Sequence, residues 1–400
     1  MAITQGKRSS RGGCPLIPGI IDLLRRAMQL PAFHREDLAS LKNVGRVRSL
    51  ALPGGRDFSS NDYLALAGSD VLRNAARAAL DRGVAAGSGG SRLLRGNNPE
   101  HEALEAAAAQ FFGVGSALYV GSGFAANSLL FATLPQPDDL ILHDALIHAS
   151  VHEGMRLSRA SRRIFAHNDV GAAEAEIARW RKSGGSGTVW IAFETLYSMD
   201  GDTAPVADFM TLAEREGVML MIDEAHAVGV FGPQGRGLAW QLHGRANVVT
   251  LATCGKALGC EGALILADPL LRDFLINRGR SFIFSTAPSP LMAAIVHAAI
   301  LAVGAADDRR ARLASLTEFT RKVFAPFVAA PSRSQIQPVI IGDNARTMAV
   351  AARLQALGFD VRGVRPPSVP QGTARLRISI TLNTDEAAIA ALGADLKDVL

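Results

Sequence analysis

Apolar residues along this chain gather in short runs separated by longer amphipathic stretches. Runs at 116–120, 139–142, 188–193, 218–222 and 248–252 are nearly free of polar residues. Runs of that length, bounded by polar or glycine-containing turns, read as strands buried on both faces. A sixth run follows at 262–267. Between the strands lie helical patterns such as 170–182 and 205–216. Strands alternating with helices predict a mostly parallel sheet covered on both sides, an α/β architecture.

The flanks read differently. Residues 18–30 pattern as a helix stopped by Pro31, followed by Arg35 and a short extended region up to Phe58. Residues 60–64 form a polar turn, 70–82 a helix, and 87–96 a glycine-dense stretch. The next helix takes Asn98 as its N-cap and Pro99 at its first position, and ends at Gly113. Residues 288–330 read as long helices leading away from the sheet. Beyond them come strand 336–341, helix 345–357 closed by Gly358, strand 359–364, a proline-rich loop 366–370, strand 375–381 and helix 384–399, with Asn383 and Glu386 as its capping pair. The expected organisation is an N-terminal helix and extended segment (1–57), a large α/β domain (58–290) and a small α+β domain (291–400).

Composition narrows the class. At 400 residues the chain exceeds one ordinary core. Its 48% apolar and 20% charged residues describe a packed globular protein. No apolar run approaches the roughly 18 residues that span a bilayer. The segment before Cys14 carries Lys7, Arg8 and Arg11, but the apolar stretch after it is broken by Pro15, Pro18 and Asp22 and shows no small-residue cleavage site. Cys14, Cys254 and Cys260 form neither a disulfide framework nor a metal-type spacing, so a reducing cytoplasm is expected. A net charge of +5 without a basic, aromatic-interleaved stripe gives little reason to expect nucleic acid and suits an anionic ligand equally well.

Candidate chemistry centres on Lys256. It stands between small residues just after the 248–252 run, where Gly255 and Gly259 let a flat ring approach the backbone. An amine on a flexible stem condenses with an aldehyde once burial lowers its pKa. Asp223 ends the 218–222 run, at the strand edge where open α/β sheets bind ligands. A carboxylate there can keep a pyridinium nitrogen protonated, and His226 lies three residues on. Residues 121–127 follow a strand and open an apolar helix, whose free N–H groups suit a phosphate. The same string fits G-x-G-x-x-A, so a dinucleotide site competes, although Asp138 and Asp139 precede their strand instead of ending it. His143, His148 and His152 invite a metal reading, but no third ligand of fitting type is near, and no metal is expected. Arg375 and Arg377 alternate on one strand and face one side, where a guanidinium suits a carboxylate.

Together these residues resemble the α-oxoamine synthase family of pyridoxal phosphate (PLP) enzymes of fold type I. The likeness runs from about Arg35 to the C-terminus. It rests on strings at 58–64, 87–91, 121–127, 148–150, 166–169, 198–202, 223–226, 253–256 and 285–286. It implies a seven-stranded, mostly parallel sheet in the large domain. It also implies roles. Lys256 binds the cofactor covalently and later removes the substrate's Cα proton. Gly123 and Phe124 give backbone N–H groups to its phosphate, and Thr253 a hydroxyl. His148 stacks on the ring and polarises a thioester carbonyl. Asp223 pairs with the ring nitrogen, and Ser198 and His226 lie near the phenolic oxygen. Arg35, Asn61, His148, Ser368 and Arg377 contact substrate, Arg377 through the amino-acid carboxylate. Ser285 and Thr286 reach the phosphate of a neighbouring subunit, because the family's sites form between two copies in a homodimer.

Within the family, the strings at 336–338, 342–344 and 365–377 point to the members that join L-alanine to a pimeloyl thioester, of CoA or acyl-carrier protein, with loss of CO2. Glycine-using C-acetyltransferase and 5-aminolevulinate-forming types are the alternative, and a nicotinamide oxidoreductase or a catalytically inactive binding protein the more distant ones. Two positions depart from the family pattern: Cys254 stands where an aromatic is common, and Ser368 where threonine is frequent.

Overall fold

The computed structural model describes residues 31–50, 52–328 and 331–400. They fall into two compact units, one ending at Pro53 and the other running from Gly54 to Leu400. In the first unit α1 spans Ala32–Asn43, with Pro31 extended at its N-cap and no buried residue. The expected helix at 18–30 lies outside the described residues. The extended region expected from Arg35 onward is helical up to Asn43. Pro31 ends one helical pattern, but proline is equally suited to the position before a helix, and the run Glu36–Lys42 is rich in good helix formers.

In the second unit, a short strand β1 (Arg56–Asp57) precedes α2 (Asp70–Asp81) and α3 (Pro99–Phe112). As expected, Asn98 caps α3 by accepting from the Glu100 N–H, and Gly113 ends it in the left-handed conformation, φ 70°. The main alternation is then β2 (Ser116–Val120), α4 (Gly123–Thr133), β3 (Leu140–Asp144), α5 (Ala149–Leu157), β4 (Ser161–Phe165), α6 (Val170–Lys182), β5 (Val189–Glu194), α7 (Val206–Glu216), β6 (Met219–Asp223), β7 (Val248–Thr253) and β8 (Ala263–Ala267). These strands form one seven-stranded sheet in the order β2-β8-β7-β6-β5-β3-β4. All neighbours pair parallel except β8, which is antiparallel to both β2 and β7.

Strand β4 is absent from the apolar pattern because it is an edge strand. Only Phe165 is buried, while Ser161, Arg162 and Ile164 face out, so the run looks polar. The inner strands β3, β5 and β7 are buried at every position and were legible for that reason.

Helices α8 (Pro269–Arg278), α9 (Arg280–Ile283), α10 (Pro290–Gly304) and α11 (Asp307–Phe324) lead to the C-terminal part. There β9 (Ile336–Gly342), α12 (Asn344–Ala356), β10 (Phe359–Asp360), β11 (Arg362–Val364), β12 (Ala374–Ser379) and α13 (Glu386–Val399) follow. The run 359–364 divides between two sheets: β10 pairs parallel with β1, and β11 joins the antiparallel order β11-β12-β9. The capping pair Asn383/Glu386 does not form. Asp385 caps α13 by accepting from the Ala388 N–H, because the turn closed by Thr384 N–H on Thr381 delays the helix start. Asn383 reaches Asp57 and Asp62 instead. One apolar core joins Phe58, Tyr63, Leu104 and Leu264 to Leu376 and Leu396, so the C-terminal part and the large sheet share a core. Among the described residues no single helix is long and apolar enough to cross a membrane.

Candidate active site

Three parallel strands end side by side, and each ends in a polar group. Glu194 on β5 lies in register with Asp223 on β6, and Asp223 with Leu251 on β7, two residues before Thr253. Strand ends expose backbone and side chains at one edge of such a sheet, where ligands bind. After β7 the chain turns tightly: Cys254 N–H donates to Gly262, Cys260 N–H to Cys254, and Gly259 N–H to Lys256. Gly259 sits at φ 65°, and a Cβ there would lie 2.4 Å from the Ala67 nitrogen, so the turn requires glycine. This turn presents Lys256 to a cavity of about 170 Å³ walled by Gly123, Phe124, His148, Asp223, His226 and Thr253, with Asn127, Ser150 and Glu194 behind them.

Burial lowers the Lys256 ammonium to a pKa of about 8, against the opposing pull of Asp223 and Glu194. Asp223 is 8% exposed and firmly held. Its Oδ2 accepts from Asn127 Nδ2 at 2.9 Å, and its Oδ1 from the Ala225 N–H at 2.9 Å. Asn127 donates a second bond to Ser150 Oγ at 2.9 Å, and Ser150 lies 2.8 Å from His148 Nδ1. His148 also caps α5 by accepting from the Ser150 N–H. Burial and then the Lys256 charge depress the pKa of His226 well below its ordinary value; burial also depresses that of His148, where Asp223 opposes the shift. Two neutral imidazoles therefore face the cavity at neutral pH. His226 Nδ1 is 2.6 Å from Tyr63 Oη, and Gln335 Nε2 donates to the His226 carbonyl.

Opposite Lys256, Ser122 caps α4 by accepting from the Ala125 N–H. The N–H groups of Gly123 and Phe124 open the helix, have no acceptor within it and favour a negative charge there. A Cβ on Gly123 would stand 3.4 Å from Thr253 Oγ1, so helix start and strand end nearly touch.

A second cavity, of about 370 Å³, shares the His148 wall. Ser198, Met199 and Asp200 line it, with Ser368 and Val369 from the proline-rich loop. Behind Ser198 stands Arg377, 8% exposed. Its Nε donates to the Ser198 carbonyl at 2.6 Å, Nη1 to Ser379 Oγ at 2.8 Å and Nη2 to Asn61 Oδ1 at 3.0 Å. Asn61 also accepts from Tyr63 Oη, so one chain of contacts runs from Arg377 through Asn61 and Tyr63 to His226. Arg375 shares that strand face but is closed off: it donates to the Met199 and Thr373 carbonyls and pairs with Asp200.

Lys256, Asp223, His226, His148, Thr253, Gly123 and Phe124 thus meet in one cavity, and Ser198, Ser368, Arg377 and Asn61 lie at or beside its neighbour. Ser285 and Thr286 line a different cavity, with Arg92, Gly121 and Ser122. Arg35 lies on α1, in the first unit. Asn127, Ser150, Tyr63, Gln335 and Glu194 were not singled out from the sequence. Asn127 and Tyr63 sit inside strings already noted, and Glu194 follows an apolar strand by one residue, as Asp223 does. Glu194 is 3% exposed and its Oε1 has no partner; burial, then Asp223, raises its pKa well above the carboxylate range.

The chain matches the family model for aminotransferase class I and II over residues 55–392, and it belongs to that family. The curated relatives it is similar to are 8-amino-7-oxononanoate synthases. That of Burkholderia thailandensis is 42% identical over 85% of this chain and 87% of its own. Among solved structures, the 8-amino-7-oxononanoate synthase of Francisella tularensis is 25% identical, with a TM-score of 0.70 over 86% of this chain and 98% of that one. A serine palmitoyltransferase from S. paucimobilis, solved with a bound PLP–myriocin aldimine, is 24% identical and shares the fold, with a TM-score of 0.82 over 92% of this chain and 96% of that one.

Proposed function

We propose that this chain is an 8-amino-7-oxononanoate synthase: a PLP-dependent acyltransferase that joins L-alanine to a pimeloyl thioester, releasing CO2 and the thiol, for biotin formation. The observation that carries it is the pairing across one buried cavity of an amine with lowered pKa, Lys256, and a fixed carboxylate, Asp223. The residues present fit PLP. Lys256 would hold its aldehyde carbon, Asp223 its ring nitrogen, His226 and Ser198 its phenolic oxygen, and the Gly123 and Phe124 N–H groups with Thr253 Oγ1 its phosphate. The neutral face of His148 suits stacking. When bound, the cofactor supplies an electron sink for a carbanion at the amino acid's Cα.

The chain's own groups do the rest. Two carboxyls, Asp223 and Glu194, stand in the same wall with opposite tasks. Asp223 accepts two hydrogen bonds that stabilise its charge, and Glu194, protonated, keeps a second negative charge out. Lys256, poised at about 8, takes a proton from Cα as its general base. Arg377, already aimed by Ser198, Ser379 and Asn61, receives the amino-acid carboxylate. The second cavity takes the acyl chain, so His148 lies between the two substrates and can donate toward a thioester carbonyl. Ser368 contributes a hydroxyl there. Ser285 and Thr286, grouped with the helix start at Gly121–Ser122 but away from Lys256, suit a phosphate contact across a homodimer, with Arg35 a substrate contact. A cytoplasmic setting fits the free thiols of the buried Cys254 and the half-buried Cys260.

The test is direct. Purified protein with PLP should absorb in the visible, and borohydride should attach the cofactor to Lys256. Product should form with alanine in preference to glycine or serine. Preference for glycine would move the reading to the aminolevulinate- or aminooxobutyrate-forming relatives. A nucleotide-dependent reduction without bound PLP would overturn it.

A further inference from the structure

The strings at 166–169 and 198–202 include residues that touch neither cavity. His167 follows β4, whose polar edge gives no hint of a site. Its Nδ1 lies 2.8 Å from Asp144 Oδ1 and its Nε2 2.8 Å from Asp202 Oδ2. Asp144 ends β3 and is fully buried; Asp202 closes the turn after β5. Asn168, held at φ 55°, duplicates the bridge: its N–H donates to Asp144 Oδ2 and its Nδ2 to Asp202 Oδ2, both at 2.8 Å. The imidazole meets the Tyr197 ring edge-on, 4.4 Å between centroids.

Each carboxylate controls one cavity wall. Asp144 Oδ1 also accepts from the Leu146 N–H at 2.7 Å, which fixes the loop carrying Ile147 and His148. Asp202 belongs to the turn of Tyr197, Ser198, Met199 and Asp200; its carbonyl accepts from the Tyr197 N–H and the turn closes by Gly201 N–H on Tyr197. These two segments are facing walls of the second cavity. From behind, Arg375, Arg377, Ser332 and Ser334 tie the 198–202 turn to the small sheet. None of those groups reaches the 145–148 loop.

We propose that His167, bridging Asp144 and Asp202 as a cation, is a positioning residue that sets the spacing between the His148 loop and the Ser198 turn, and thereby the fit of the acyl thioester. This rests on the reading of the second cavity as the acyl site. A bridge of one donor between two acceptors needs both ring nitrogens protonated, and the structure meets that need: burial opposes the charge, but the hydrogen bonds to Asp144 and Asp202 outweigh it and raise the pKa to about 10. A neutral imidazole would leave one carboxylate facing a lone pair.

The experiment is steady-state kinetics on the PLP-loaded full chain with pimeloyl-CoA and L-alanine, for wild type, His167→Gln and Asp202→Asn. Glutamine keeps one donor and loses the charge and the second; Asp202→Asn breaks the other half. The expected result is a rise of about tenfold in KM for the thioester, with KM for alanine within about twofold of wild type and the cofactor's absorbance maximum unchanged. A lowered melting temperature with both KM values unchanged would make His167 a fold-stabilising residue only and overturn the proposal, as would equal rises in both KM values. Should His167→Gln fail to fold, Asp202→Asn, an exposed-side change, carries the same comparison. Failure of the underlying reading looks different: the wild type itself would bind no PLP or use no thioester.

Discussion

Two histidine–acid groupings stand at the ends of neighbouring parallel strands and treat charge in opposite ways. Around His167, charge is paired: two carboxylates, one imidazolium and one asparagine share bonds of 2.8 Å, although Asp202 Oδ1, Asn168 Oδ1 and the Tyr197 hydroxyl are left without partners. Around Lys256, groups are left wanting. Glu194 Oε1 has no partner, two helix N–H groups point into space, and burial strips charge from His148 and His226. Unpaired buried polar groups destabilise a fold unless something else satisfies them. The cluster that keeps and pairs its charge is therefore read as scaffold, and the one that burial strips of charge as the place for a polar ligand. His167 stands 23 and 35 residues from Asp144 and Asp202 in sequence, yet the sheet brings them together because strand ends converge on one edge.

The strongest way to break that contrast is Lys256→Ala. If the Lys256 cavity is the reacting one, product formation should fall by at least about 10²–10⁴-fold, with retained far-ultraviolet circular dichroism. A variant turning over at the wild-type rate would remove the cavity from the chemistry. Next comes Arg377→Lys. Lysine keeps the charge but cannot hold Ser198, Ser379 and Asn61 at once while facing a carboxylate. KM for alanine should rise about ten- to a hundredfold, measured at saturating thioester. Arg375→Lys, on the same strand face, should leave that KM much less changed, because Arg375 is closed off by Met199, Thr373 and Asp200.

A pH experiment sharpens the Lys256 side. Its folded pKa of about 8 is lowered from 10.5, mainly by burial. The neutral, nucleophilic amine therefore dominates above about pH 8 and declines below it. Capture of an added aldehyde by cofactor-free protein, trapped with borohydride, should rise through pH 8 and level off before pH 10. A rise centred near the ordinary lysine value would show that the amine is solvated instead of buried.

How much of this was legible beforehand follows from the same physics. Interior strands declare themselves because both faces are apolar, so β3, β5, β6 and β7 were visible, and with them the strand ends at Asp223 and Thr253. Edge strand β4 was invisible because Ser161 and Arg162 are exposed and Arg163 is only half-buried, and the role of His167 just beyond it was hidden too. The turn at Lys256 was readable from its glycines. That Arg377 joins Ser198 to Asn61 while Arg375 pairs with Asp200 was not readable, since alternation puts both on one side and the partners lie far away in sequence. The start of α13 was misplaced by a few residues because Asn383 and Asp385 are both good caps, and only the tertiary contacts of Asn383 with Asp57 and Asp62 decide between them. Glu194 was missed although it occupies the same strand-end position as Asp223, since a lone strand-end acid carries no sign of its protonation state.

The smallest effect expected is thermodynamic and belongs to the charge-paired cluster around His167. His167 has a folded pKa of about 10 against an ordinary value of 6.5. A raised folded pKa means that the folded state binds a proton the unfolded state has lost, so its contribution is fully present below about pH 6.5 and is lost as pH rises through about 10. Asp144 shifts the other way: burial raises its pKa, but the His167 and backbone hydrogen bonds more than reverse this and hold it below the ordinary range. That contribution persists above the unfolded carboxylate pKa and vanishes only in acid. The two dependences leave a window between the acid range and pH 6.5 in which the bridge contributes most. His167→Gln should therefore lower the melting temperature most near pH 6, and the gap from wild type should narrow steadily toward pH 10. Because the His167 side chain is 27% exposed, solvent screens the bridge and the gap should be a few degrees at its widest. A gap that stayed constant from pH 6 to pH 10 would mean that the imidazole is uncharged in the fold, and the bridge would then be a pair of ordinary hydrogen bonds.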